Sequence, residues 1–244
     1  MLKLYRENEL PFAIVCIVIY MAVFGSLRTL GDDHPAATLG LLVLALVLLL
    51  FVKNNGLMGK YGLDGWAKNS RQMLYFVPLW VISTGNLWGG FSPRYQGLGL
   101  VCAVVTFALV GFVEELLFRG LLFKAILRQG GEKKAIIISA LTFGMGHIVN
   151  LFSGQDLVET LVQICFAVAI GFIFTMVYYK CASLWPLIVA HSTIDVLSVF
   201  GADNVLADWI YIGSTLVIAV LYCWYLSRLE TPEANRIGIA DVTA

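Results

Sequence analysis

Residues 97–123 read GLGLVCAVVTFALVGFVEELLFRGLLF, an apolar segment that carries three charged residues in its second half. A helix needs about 20 apolar residues to cross the hydrocarbon core of a bilayer, and this segment exceeds that length. Glu114, Glu115 and Arg119 would then lie inside the membrane, where a charge is costly unless it has a partner. Charged residues in such a position are candidates for a functional site.

The whole chain has the composition of a membrane protein. Of its 244 residues, 59% are hydrophobic and only 13% are charged, and the mean hydropathy is +0.85. Soluble domains carry about 25% charged residues, so this composition excludes a soluble globular domain, a disordered chain, a coiled coil and a disulfide scaffold. The formal net charge is zero, which gives no sign of a nucleic-acid partner.

The hydropathy pattern predicts an all-α polytopic membrane protein with about eight transmembrane helices. One integral-membrane domain should cover 1–228, with a motif-bearing core at about 97–200, and residues 229–244 should form a loosely held polar tail. The predicted spans are 10–29, 36–52, 72–91, 97–123, 135–152, 159–179, 183–200 and 208–227.

The basic residues predict how these spans are oriented. With eight spans both termini lie on one side, and thirteen of the sixteen Lys and Arg residues fall on that side, whereas only Arg28 and Arg94 fall in loops opposite. Cytoplasmic loops are enriched in Lys and Arg. We therefore expect both termini to lie in the cytoplasm.

The charges of the fourth span form a recognisable pattern. Glu115 and Arg119 are four residues apart, so they share one helical face and can pair. Glu114 points about 100° away and has no such partner on its own helix. A carboxylate that is buried in a membrane without a partner is a candidate general acid or base. The alternative is a cluster of charges that only ties helices together.

Two further spans carry histidines. In the fifth, Phe143, His147 and Asn150 share a face, and in the seventh His191 and Asp195 are four residues apart. Each histidine could be a packing residue or half of an interhelical His–Asp clamp. However, Glu114, His147 and His191 lie at comparable depth along their helices, at about 15–20 Å from the lysines at the helix ends. We therefore predict one polar site between helices 4, 5 and 7.

Such a site could activate water in two ways. Without a metal, Glu114 would accept the water proton, His147 would orient the water, and the other polar groups would stabilise an oxyanion. Alternatively, Glu114, His147, His191 and Asp195 could hold a divalent metal such as zinc with an open coordination position. The sequence does not choose between them.

The series Glu114-Glu115-x3-Arg119, Phe143-x3-His147 and His191-x3-Asp195 resembles the CPBP family of CAAX proteases and bacteriocin-processing proteins, also called the Abi family. The resemblance covers about residues 100–200. It implies an all-helical intramembrane endopeptidase, with a glutamate or metallo mechanism, whose site opens toward the cytoplasm. Its substrate would be a membrane-associated peptide or protein, and the compact chain suggests the bacterial cytoplasmic membrane.

The resemblance also implies a role for each matching residue. Glu114 would be the water-activating base with His147 as its partner, and Glu115 and Arg119 would support the site. His191 and the residue four positions later would serve the oxyanion, but that residue is Asp195 here and Asn in eukaryotic members. Asp195 could instead orient His191 or bind a metal. Phe143 and Asn150 are supporting residues.

Two other functions stay open at this stage. Some members of the CPBP family are bacteriocin-immunity proteins or regulatory membrane partners that do not catalyse a reaction, and this chain could be one of them. A proton-coupled transporter would also use intramembrane acids, but the sequence has neither the inverted repeat nor the broken helices that favour one.

Overall fold

A computed structural model describes residues 2–235, with only the backbone described at 152 and 153, and the described chain contains eight principal helices. Its one extended pairing is an isolated bridge between Phe91 and Gly201. The prediction of an all-α polytopic membrane protein is therefore confirmed. The helices are α1 (Glu9–Arg28), α2 (Pro35–Asn54), α3 (Val77–Ser83), α4 (Gly97–Gly130), α5 (Glu132–Gly146), α6 (Leu157–Cys181), α7 (Trp185–Ser198) and α8 (Val205–Ser227).

Six of the predicted spans correspond to helices that are long and apolar enough to cross a membrane, namely all except α3 and α7. The third span is not one regular helix, because Leu74, Tyr75 and Phe76 have φ between 50° and 60° and a 3₁₀ turn covers Gly85–Leu87. L-residues rarely adopt this left-handed conformation, so the α-helix begins only at Val77. α7 has 14 residues and is about 21 Å long, which is shorter than the hydrocarbon core.

α4 is interrupted where its charged residues lie. It is α-helical over Gly97–Glu114, becomes a π-helix over Glu115–Phe123 and returns to α-helix over Lys124–Gly130. The predicted span is helical, but the α-helical geometry used to place its charged residues does not apply from Glu115 onward. π-Helical segments are rare and occur frequently at functional sites. Glu114 and Glu115 therefore stand on either side of a change in helical geometry.

The helices place the loops at two ends of the bundle. At one end, which we call the basic end, lie residues 55–73 and 182–184, joined by the bond from Leu184 N to Gly62 O (2.9 Å). At the other, the acidic end, lie residues 29–34, 88–96 and 199–204, with Ser92 N bonded to Phe200 O (2.8 Å).

The chain after α8 packs against the basic end. Lys180 Nζ donates to Leu229 O (2.6 Å), and Lys124 Nζ donates to Ala234 O (2.9 Å). The Asn235 amide donates to the carbonyl oxygens of Tyr178 and Tyr179, and its side chain is buried. The expectation of a loosely held tail is therefore wrong for 229–235, because backbone carbonyls there bind two lysines, and 236–244 lie outside the described residues.

A glycine sets the distance between the two helices that carry the acids and His191. A Cβ atom at Gly111 of α4 would lie 2.5 Å from the backbone N of Ser192 and 2.9 Å from its Cα. Backbone atoms cannot move aside as a flexible side chain can, so only glycine allows this crossing of α4 and α7. The crossing brings His191 to the acids of α4.

Replacing Gly111 by alanine should lower the thermal stability of the purified protein. The added methyl group forces α4 and α7 apart, and overpacking of this kind costs about 1–3 kcal/mol. Thermal unfolding in detergent would measure the loss. Gly213→Ala on α8 is the control, because its Cβ would meet no atom within 4 Å. Equal melting temperatures for the two variants would contradict the close approach.

Candidate active site

A cavity of about 670 Å³ lies between α1, α4, α5 and α7. Its size is in the range of sites that bind small molecules. Among the predicted site residues, the cavity is lined by Glu114, Phe143, His147, Asn150, His191 and Asp195.

Glu114 faces this cavity at the end of the α-helical part of α4. Its carboxylate accepts a hydrogen bond from Tyr20 Oη of α1 at 2.6 Å, and its side chain is 15% exposed. Tyr20 is itself buried, lines the cavity and stacks on Phe24, one turn later on α1. Glu114 therefore has a partner on another helix, which the sequence did not indicate.

Glu115 and Arg119 form an ion pair behind the cavity. Arg119 Nη1 lies 2.9 Å from Glu115 Oε1, and both side chains are fully buried. The guanidinium lies over the ring of Phe143, 4.1 Å from its centroid, and approaches Gly171 O at 3.5 Å. The predicted pairing of these two residues is present, but neither residue lines the cavity.

His191 connects the buried ion pair to the cavity. Its Nδ1 donates to Glu115 Oε1 at 2.7 Å, since that oxygen is a carboxylate acceptor already paired with Arg119. Its Nε2 lies 3.4 Å from Asp195 Oδ2 and 3.8 Å from Glu114 Oε2. The bond at Nδ1 fixes the ring so that Nε2 is directed toward the two carboxylates that line the cavity.

His147 lies on another wall of the same cavity, at the first residue of a 3₁₀ segment, His147–Ser153, that follows α5. Side chains three residues apart eclipse in a 3₁₀ helix, so His147 and Asn150 share a face as predicted. The ring of His147 packs edge-on against Phe143 at 5.8 Å. Phe143 also contacts the ring of His191 at 5.6 Å, so both imidazoles pack against the same phenyl ring.

Asn150 lies at the acidic end of the cavity rather than beside the acids of α4. Its side-chain oxygen accepts from Arg28 Nη1 at 3.4 Å, and its amide donates to Gln163 Oε1 at 2.8 Å. Arg28 is also paired with Asp32. Asn150 therefore ties α1 and α6 together at the cavity mouth, which is a supporting contact.

Tyr95 completes the mouth. Partial burial, together with the negative charges of Asp32 and Asp33, raises the pKa of its phenol above the usual range. The hydroxyl therefore stays protonated at neutral pH.

The residues proposed as metal ligands do not form a metal site as they stand. In residues 2–235, leaving out the side chains of 152 and 153, no group of three or more His, Cys, Asp or Glu residues is placed so that it could hold a metal ion. We therefore derive no catalytic step through a metal.

Tyr20 is the residue that sequence reasoning missed. It lies in the first span, outside the motif-bearing core, and its hydroxyl carries no charge that would mark it as costly in a membrane. Only the packing of α1 against α4 reveals its contact with Glu114.

Comparison with known proteins finds a family that the motif-bearing region resembles. Residues 96–197 match the family model described as type II CAAX prenyl endopeptidase, Rce1-like. No curated protein matches the chain significantly. The match covers about two fifths of the chain and includes every predicted site residue, from Glu114 to Asp195. It confirms the resemblance drawn from the motifs: residues 96–197 of this integral membrane protein are similar to the Rce1-like CAAX endopeptidase family, which is a family of proteases.

Proposed function

We propose that this protein is an intramembrane endopeptidase that cleaves a membrane-associated peptide or protein with water activated by Glu114. The observation that carries the proposal is the placement of the Glu114 carboxylate. It lines a cavity inside a membrane-embedded bundle, within 2.6 Å of Tyr20 Oη and 3.8 Å of His191 Nε2. A carboxylate held in this way can accept a proton from water.

The proposed reaction uses these positions in order. Glu114 accepts a proton from a water molecule in the cavity as the water oxygen attacks the carbonyl carbon of the scissile peptide bond. His147, on another wall of the cavity, orients the water. Glu114 then returns the proton to the nitrogen of the leaving amine as the tetrahedral intermediate collapses and the C–N bond breaks.

His191 stabilises the oxyanion of that intermediate. With Nδ1 held by Glu115, an imidazolium at this position presents Nε2–H to the cavity. Of the three roles considered for Asp195, its distance of 3.4 Å from Nε2 favours that of orienting His191 and balancing its charge. Glu115 and Arg119 act through His191 and are positioning residues.

This mechanism predicts that cleavage does not depend on zinc. A metal chelator should leave the rate of peptide cleavage by the purified protein unchanged, because Glu114, Tyr20 and His191 supply the base and the hydrogen-bond donors. Rates would be measured before and after treatment with EDTA and 1,10-phenanthroline. A loss of activity that zinc restores would instead favour the metal alternative, with Glu114, His147, His191 and Asp195 as ligands.

Tyr20→Phe should lower kcat by roughly 10- to 100-fold with little change in KM. A hydrogen bond to a charged group contributes about 1.5–3 kcal/mol, and here it holds the catalytic carboxylate rather than the substrate. Tyr222→Phe is the matched control, because it also removes a buried hydroxyl, one bonded to Met73 O at 2.7 Å away from the cavity. An equal fall in kcat in both variants would show a general loss of structure instead.

Mapping of protein and peptide termini in host membranes tests the proposed function directly. We propose the bacterial cytoplasmic membrane as the place of action. Three strains would be compared: a deletion strain, the same strain with the wild-type gene restored, and one with Glu114→Ala restored at an equal protein level. New termini that appear only with the wild type would support proteolysis and would nominate substrates for cleavage by the purified protein.

A Glu114→Ala strain that restores both the phenotype and the termini would contradict catalysis. The protein would then act as a non-catalytic immunity or regulatory partner.

A further inference from the structure

From its innermost lining on α4, at Glu114 and Phe118, the cavity extends toward one end of the bundle only. α1, α5 and α7 all run from the basic end to the acidic end, and each lines the cavity with its later part. On α1 the lining begins at Tyr20 and continues to Arg28, and on α7 it begins at His191 and continues to Ser198. The loops of the acidic end contribute Asp32, Arg94 and Tyr95, and no lining residue lies in the described loops of the basic end.

The basic end of the bundle is closed by packed side chains. Beyond Glu115, the residues Tyr61, Phe123 and Tyr178 are at most 1% exposed, and the rings of Phe123 and Tyr178 contact each other at 5.7 Å. Tyr61 and the buried Leu184 both approach Gly120 of α4. The segment 229–235 covers this layer from outside through its bonds to Lys124 and Lys180. Among the described residues, these buried side chains fill the space between the cavity and the basic end.

The charges indicate which end faces the cytoplasm. Twelve described Lys and Arg residues lie toward the basic end, whereas the acidic end has two, Arg28 and Arg94. Both of these line the mouth of the cavity and both are paired with aspartates, Asp32 and Asp203. By the positive-inside rule the basic end is cytoplasmic. The two orientation expectations, cytoplasmic termini and a site open to the cytoplasm, therefore exclude each other in this fold.

We propose that the cavity opens on the extracytoplasmic side of the membrane and receives a peptide or protein segment anchored at that face. The nature of the substrate rests on the proposed function, whereas the direction in which the cavity opens does not depend on that function. Phe24, Phe107 and Phe143 line the cavity with apolar surface that suits the membrane-embedded part of such a segment. Arg94 and Tyr95 present polar groups at the mouth, where the segment leaves the bilayer.

Labelling of single introduced cysteines tests the orientation. Arg94→Cys and Asp203→Cys place thiols at the acidic end, and Lys3→Cys places one at the basic end, all at exposed positions. Intact spheroplasts would be treated with a membrane-impermeant maleimide, and the wild type, with its five native cysteines, gives the background. We expect the first two variants to be labelled in intact cells and Lys3→Cys only after permeabilisation. The reverse pattern would overturn the proposal.

A second measurement tests whether substrate enters through the mouth. Ser198 lies on the cavity wall near the acidic end, so Ser198→Cys places a thiol inside the cavity. Treatment of intact cells with a bulky impermeant maleimide should stop cleavage in this variant, whereas Lys3→Cys should keep cleaving after its own labelling in permeabilised cells. Continued cleavage by labelled Ser198→Cys would contradict entry at this end.

The outcomes separate the two proposals. If labelling gives the expected pattern and no cleavage is found with any variant or the wild type, the orientation stands and the proteolytic function fails. If cleavage is found and Lys3→Cys is the residue accessible from outside, the function stands and the orientation fails. The labelling result decides the orientation whether or not Ser198→Cys retains activity.

Discussion

Glu114→Gln is expected to reduce the rate of peptide cleavage by about 10²–10⁴-fold, which is the contribution of a general base. Glutamine keeps the shape of the side chain and still accepts a hydrogen bond from Tyr20 Oη, so the cavity should keep its structure. It cannot accept the proton of the attacking water. Single-turnover cleavage by the purified protein in proteoliposomes would measure the chemical step, and binding of the uncleaved substrate should be unaffected.

Glu9→Gln is the matched control for this variant. Glu9 is a partly buried glutamate at the basic end, with 20% of its side chain exposed, and it is paired with Lys60 and Arg128 outside the cavity. Its replacement should weaken those pairs and leave the cleavage rate unchanged. Cleavage by Glu114→Gln at the rate of Glu9→Gln would show that Glu114 is not the base, and His147 or Asp195 would have to take that role.

The helical architecture could be predicted from the sequence because charged residues are costly in a bilayer, so helices that span the bilayer appear as long segments of apolar residues. Six predicted spans correspond to helices that could cross a membrane. The prediction of the third span as one helix was wrong because hydropathy carries no information about backbone conformation. The residues Leu74–Phe76 have left-handed conformations that interrupt the apolar segment. The π-helix of α4 was also hidden, since most of its residues are ordinary helix formers and their sequence carries no signal that separates a π-helix from an α-helix.

The candidate site was partly predictable for the same reason. Glu114, His147 and His191 stood out because polar groups are costly at that depth, and helix rise alone placed them at one level. Tyr20 did not stand out, because a tyrosine in an apolar helix is commonplace. The direction in which the cavity opens depends on which side chains fill each end, such as Tyr61 and Tyr178, and a single sequence does not contain that information.

Variants of the buried pair Glu115 and Arg119 should affect stability and catalysis differently. Removing one member leaves an uncompensated charge in a site without solvent exposure, and such changes cost about 3–5 kcal/mol. Arg119→Met and Glu115→Leu should therefore each lower the free energy of unfolding strongly. The double variant should recover much of the loss, because two apolar side chains can replace a buried ion pair at little cost. Denaturant unfolding in detergent would measure all three variants.

The double variant should nevertheless cleave poorly. Without Glu115, His191 Nδ1 loses the acceptor 2.7 Å away that fixes its ring, so Nε2 is no longer held toward Asp195 and Glu114. Lys3→Met, which breaks an exposed pair with Glu7 at 3.8 Å, is the control and should cost less than about 1 kcal/mol with no change in cleavage. A double variant as unstable as the single ones would mean that packing around Phe143, rather than charge, dominates. A stable double variant that cleaves at the wild-type rate would mean that the pair does not position His191.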